Sequence, residues 1–407
     1  MLNSFNIKSM KYKSFIISFS LVLLLISLMC VSCQKKGCTD PNALNYSLEA
    51  TKDDNSCEYQ DFDKHNLLIN LAENYIIPSL NNFKDKIVAL DNQVDEFNLN
   101  TNNNNLNNLR AIWEEALLSW QDAAFLDFGP SEYILLRSQT NTFPVDTTEL
   151  KTTISDGSWN LQFSNYNDSK GLQALDYMLF MPGYSESELI GYFQTNNNSK
   201  NYLKAITVDL LSNITYVCDE WSLHRDDFVN DFETSSSGYS SNSQGSSISN
   251  IINALCLHYE FYVRRGKVGL PLGVFNGFTQ QELPHLVECY FSGKSLQNLN
   301  RSVYSINKFL IGAGYSSNDN GLGLDDYMNF VNAENNSDQL SNIIDNQITN
   351  ILEIVNNLPG TLGNDIIYNK PMVQETYQEL QKLVPLIKVD MTSALGVLIT
   401  YQDNDGD

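Results

Sequence analysis

The chain has 407 residues and a formal net charge of −23, from 25 Lys and Arg against 48 Asp and Glu. It has no basic stripe, no aromatic RNA-binding motif and no run of Lys or Arg, so nucleic acid and anionic membrane surfaces are poor partners for the folded body. The length allows two domains or one large one.

Residues 1–33 read as an export signal. Lys8, Lys11 and Lys13 precede an apolar run from Phe15 to Met29, which ends in "SLMCVSC". A basic stretch followed by an apolar run this short is a signal peptide pattern rather than a spanning helix. Ser32 before Cys33 suits lipoprotein processing, in which the cysteine is acylated and becomes the new N-terminus; Cys30 departs from the Leu usual at its position. An ordinary secretory signal is the other reading. Acyl chains on Cys33 would anchor the protein without a spanning segment. The expected location is the cell envelope, on the outer membrane facing the periplasm or on the cell surface.

Residues 34–60 form a polar, turn-rich spacer bracketed by Cys38 and Cys57. In an exported chain such a pair is most simply a disulfide. The pattern Cys-Thr-Asp-Pro-x-Ala-x-Asn-Tyr, then Asp-Asp-x-Ser-Cys-x-Tyr, resembles a short cysteine module of exported Bacteroidetes proteins. Asp53 and Asp54 have two readings, calcium ligands or solvated spacer. At the other end, "YQDNDGD" resembles the start of a calcium loop, but the chain stops short of the bidentate Glu that an EF-hand needs.

The body is written in helical period. Leu109, Ile112, Trp113, Ala116, Leu117 and Trp120 make one apolar stripe. Further stripes run through Leu203–Trp221, Ile248–Tyr262 and Leu340–Val355. Two more, Lys64–Leu90 and Gln374–Thr400, look interrupted at Pro78 and Pro385. Strand-like alternation is nearly absent. The expected fold is all-α, with two packed helical-bundle subdomains at 62–232 and 248–402. The Ser- and Gly-rich stretch 233–247 would join them; a single bundle with a long loop is the alternative.

Common catalytic motifs are missing. There is no His-Glu-x-x-His, Gly-x-Ser-x-Gly, P-loop or Gly-x-Gly-x-x-Gly. Cys218, Cys256 and Cys289 form no Cys-x-x-Cys pair, and Cys256 and His258 lie on an apolar helical face. Arg264, Arg265 and Lys267 look like compensation of a helix dipole, with Gly266 as the C-cap.

"KGLQALDYMLF", Lys170–Phe180, is the candidate site. Gln173 and Asp176 are three apart and share a helix face, and Gly171 ahead of them leaves the backbone bare. A His and a Glu at this spacing would offer an imidazole and a carboxylate to one cation. Gln and Asp would suit a hard cation with other oxygens, Asp176 being the metal ligand, or would hydrogen-bond within a buried interface.

Here the chain resembles the imelysin family, also called M75 peptidases, whose signature is Gly-x-His-x-x-Glu on a helix. Gly171, Gln173 and Asp176 fall on its Gly, His and Glu. "RAIWEEALLSWQDAAFLDFGPSE", "RRGKVGLPLGVFNG" and "KVDMTSALGVLITYQDNDGD" resemble other family segments in order, over about residues 62–407. The resemblance implies an envelope protein, often a lipoprotein, with a cleft between two helical domains and a link to iron or metal uptake. This chain departs at both ligand positions, so the resemblance does not carry the family's His and Glu ligands over to Gln173 and Asp176. Glu114, Glu132, Tyr177 and Arg265 are candidates for lining the cleft.

The leading expectation is a non-catalytic, lipid-anchored protein that binds a ligand or metal, its cofactor a divalent metal or iron. Candidate partners are the membrane through the anchor, and a metal, haem or envelope protein. An M75-type metallopeptidase and a pure scaffold protein are the competing readings.

Overall fold

The computed structural model describes residues 34–41, 43–58, 60–230, 243–317 and 319–401. The signal segment with Cys33, most of the Ser/Gly-rich stretch and the acidic tail with Asp403 and Asp405 lie outside the described residues. The chain forms two compact units, divided after Phe62.

The first unit is built of turns. Cys38 and Cys57 are disulfide-bonded, with 4.6 Å between their Cα atoms, as the sequence led one to expect. The Asp53 carboxylate accepts from the Asn55 N–H and that of Asp54 from the Ser56 N–H, both at 3.1 Å. These are local turn bonds of the kind short acidic side chains make.

The second unit, from Asp63 onward, is helical and packs as one body. Its principal helices are α1 (Lys64–Asn70), α2 (Ile77–Leu99), α3 (Asn103–Ala123), α4 (Gly171–Leu179), α5 (Asn197–Asn230), α6 (Ser247–Leu257), α7 (Ser295–Leu310), α8 (Leu340–Asn356) and α9 (Lys370–Pro385). Among the described residues the named strands are two short ones, Glu334–Asn335 paired with Asp338–Gln339.

The apolar stripes do what their period implies. Phe83, Ile87, Leu90, Val94 and Phe97 of α2 are fully buried, against Leu106, Leu109, Trp113 and Leu117 of α3. Each such side chain contributes about 1.5–3 kcal/mol on burial. α7 from the second half lies on α3 from the first, and α8 covers α7.

Neither proline interrupts its helix. α1 runs into α2 through a π-helical segment, Leu71–Ile76, and Pro78 falls in the first turn after it. α9 likewise passes Pro385 into a π-helical segment, Leu386–Met391. A proline has no N–H for the carbonyl four residues back; for Pro78 that carbonyl is Asn74, and the Tyr315 N–H donates to it at 2.6 Å. The widened turns and an outside donor absorb the defect.

Gly266 is not a C-cap. The helix from Ser247 continues in π-helical form over His258–Gly269 and ends past Leu270–Leu272 at Gly273, whose φ is +92°. Arg264 and Lys267 are therefore buried within it rather than set at an exposed end. Arg264 donates to the Gln381 carboxamide oxygen at 2.6 Å, so packing and not dipole compensation accounts for it.

Candidate functional site

α4 is short, apolar and completely buried. Its start is fixed by Gly171, whose φ is +74°; a Cβ there would sit 2.4 Å from the Thr140 carbonyl oxygen. Only glycine fits so close a backbone crossing at a left-handed angle. Just before it, the buried Lys170 ammonium is paired with Asp209 at 2.9 Å and donates to Gln139 at 2.7 Å. α3 holds both ends of α4. The Trp113 indole N–H donates to the Leu172 carbonyl at 3.1 Å, and the Arg110 Nε to the Leu179 carbonyl at 3.0 Å.

Gln173 and Asp176 share a face, as their spacing implies, and that face meets residues 287–293. The Cys289 N–H donates to Gln173 Oε1 at 2.8 Å. Gln173 Nε2 donates to Asn141 Oδ1 at 2.7 Å and to Cys289 Sγ at 3.2 Å. Each Asp176 oxygen receives one main-chain donor, from Phe291 and Ser292, both at 3.1 Å. The pair thus clasps a loop through its backbone. Cys289 itself has φ +53°, a strained angle for a side-chain-bearing residue, and the clasp holds it there.

The clasp continues into a buried polar network. Glu288 is fully buried; its Oε1 accepts from Asn141 at 2.7 Å and Gln121 at 3.0 Å, and its Oε2 is paired with Lys267. Gln121 Oε1 accepts in turn from Lys267 at 2.9 Å and Ser302 at 2.7 Å. Burial pushes the Asp176 carboxyl up to about 6, against the pull of the Ser292 and Phe291 donors. Burial also pushes the Cys289 thiol well up, so it is held as a neutral thiol and not as a reactive thiolate. His258 is driven well below its ordinary range by burial and by Arg137; its neutral ring accepts from Arg137 at 2.9 Å.

Of the cavities beside the clasp, two share Pro144. The smaller, about 170 Å³, is lined by Gln173, Asp176 and His285 among others. The larger, about 540 Å³, has Phe143, Phe261, Tyr262 and Leu270 in its wall with Arg137 and Arg265. Arg137 lies 3.9 Å over the Tyr262 ring and is paired with Asp127 at 3.0 Å.

The structure separates the residues the sequence singled out. Gln173, Asp176 and Arg265 line cavities. Glu114 is paired with Lys294 at 2.7 Å. Glu132 is exposed, on a one-turn helix. Tyr177 is buried, its ring edge-on to Phe291 at 5.0 Å. Asn141, His285, Glu288 and Cys289 were not anticipated; a lone acid and cysteine inside the apolar "HLVECYF" were the available signal. Among the described residues, the group of acids close enough to share a cation is Asp146, Glu149 and Asp168; it does not include Asp176.

A helical body with a clasped motif helix beside open cavities defines the class of protein. The imelysin model (peptidase M75) matches residues 76–388, and the chain belongs to that family. Two crystal structures share the fold. A putative iron-regulated protein A precursor from Parabacteroides distasonis ATCC 8503 is 16% identical, with a TM-score of 0.65 over 83% of this chain and 96% of that one. An imelysin-like protein from Psychrobacter arcticum 273-4 is 15% identical, with a TM-score of 0.64 over 84% and 99%. No curated protein matches the chain.

Proposed function

We propose that this imelysin-family chain is a lipid-anchored binding protein of the cell envelope, acting in iron or metal acquisition and not as a catalyst. The observation that carries the reading is the division of labour at the site. The motif-equivalent pair is engaged on main-chain N–H groups, while the open volume lies next to it, walled by aromatic rings and arginines. Such a cavity suits a ligand with a flat apolar body and an anionic edge, a metal chelate rather than a bare ion. The iron-regulated precursor that shares the fold supports the iron connection, and the segment around Cys33 supports the anchor. Among the described residues no helix is long and apolar enough to cross a membrane.

Thermal melting of the full chain tests this, with haemin as the chelate and with iron, zinc, copper and calcium ions separately. A ligand that binds only the native state raises Tm by mass action. The expected result is a rise with haemin that is lost in Arg265→Glu. A rise with one bare ion, lost in Gln173→Ala/Asp176→Ala, would instead make the clasp a metal site. No rise with any of them would overturn a binding role at this cleft.

A further inference from the structure

A further cavity, of about 300 Å³, lies away from the clasp, between the end of α3 and one face of α7. Arg301, Tyr304, Ser305 and Lys308 line it and fall at i, i+3, i+4 and i+7 of α7, so one helix face supplies a stripe of donors. The acid in its wall is Asp122, buried and fixed from three sides. Arg301 grips it with Nε and Nη2 at 2.6 and 2.7 Å, and the Tyr315 hydroxyl donates to it at 3.1 Å. Ser305 also donates to it. Two cations therefore face one carboxylate, a local positive excess in a chain of net charge −23.

Both cations have donors to spare. A guanidinium carries five N–H groups, and Asp122 and Tyr315 take up only part of them. The Lys308 ammonium has three, of which two go to the Tyr315 and Ser317 carbonyls at 3.0 and 3.2 Å. Burial and the nearby Arg301 hold Lys308 below its ordinary value, the mark of a cation whose charge is not fully answered. The seven-residue spacing sets the two residues about 10 Å apart along the helix axis. Two separated anionic groups match that spacing better than one. The volume is at the lower end for small-molecule pockets.

We propose that this cavity is a binding site for a small oligocarboxylate, one carboxylate on Arg301 and another on Lys308, with Asp122 as the residue that aims the guanidinium. The site is independent of the cleft beside Asp176.

Isothermal titration of the full chain with citrate, and separately with inorganic phosphate, tests the proposal. Saturable citrate binding is expected, with phosphate at least roughly tenfold weaker because it answers one cation at a time. Lys308→Gln keeps an N–H for the two carbonyls and leaves the Asp122–Arg301 pair alone; it should weaken citrate about tenfold or more. Lys308→Arg should restore most of the loss. Three results would overturn the proposal: no saturable citrate binding, equal binding of phosphate, or citrate affinity unchanged in Lys308→Gln. Far-ultraviolet dichroism and melting of each variant separate a lost site from a lost fold.

Discussion

Asp122 and Asp176 are both 1% exposed, yet they are held in opposite ways. Asp122 is met by a guanidinium, two hydroxyls and a cavity with a second cation. Asp176 is met by two amide N–H groups and no cation. Neutral donors from Ser292 and Phe291 do not offset the loss of water, so Asp176 keeps its proton up to about pH 6. The lesson is that burial does not decide what a carboxylate is for; its partners do. One aims a charge toward an opening, and the other grips a loop.

The comparison can be broken from either side, and the largest effect should come from the helix that carries Asp176. Gly171→Ala puts a methyl into the Thr140 carbonyl at a left-handed backbone angle. It should cost about 4 kcal/mol by denaturant unfolding, from conformational cost plus the clash. A loss below 1 kcal/mol would mean that α4 can shift, and that the clasp is loose. Next is Arg301→Ala, which leaves Asp122 buried without its cation. Breaking such a pair costs about 3–5 kcal/mol when fully buried; with Arg301 40% exposed, about 3 is expected. Adding Asp122→Asn should recover part of it, and failure to do so would deny that charge is the issue.

The third effect sharpens the comparison through pH. The folded-state value of Asp176, about 6, lies above the ordinary carboxylate value of 3.8. The stabilisation from its protonation is therefore complete below about pH 4 and lost as pH rises through 6, on the order of 2–3 kcal/mol. The stability difference between wild type and Asp176→Asn should move in that direction over this window. A flat difference would show that the carboxylate is better solvated than its burial implies. The smallest effect is Gln173→Ala, which strips partners from the buried Cys289 N–H and from Asn141. It should cost about 1–2 kcal/mol and speed exchange of the Cys289 amide hydrogen.

The sequence made the helices legible because a stripe is a local signal. Trp113, Leu117 and Trp120 announce a buried face without knowledge of what covers it. Gly171 was legible for a related reason, since a glycine ahead of an apolar helix marks a close backbone approach. The partners were not legible. Gln121 and Lys267 are 146 positions apart and meet over Glu288, a juxtaposition no local window contains. Pro78 and Pro385 misled in the other direction: the rule that proline stops a helix is local, whereas the relief came from π-turns and from a distant N–H. Gly266 misled similarly, because a glycine inside a π-helical stretch looks from sequence like one that ends a helix.

The carbonyl of Asn74 has a consequence beyond its own helix. A regular helix is self-sufficient along its length and gives a passing chain no reason to stop at one turn rather than the next. Pro78 removes a single donor and so writes an address on an otherwise uniform rod. The Tyr315 N–H reads that address, and with it the tyrosine hydroxyl reaches Asp122 at the wall of the cavity beside α7. A deletion of one hydrogen bond in one helix thereby sets the register of a loop more than two hundred residues downstream.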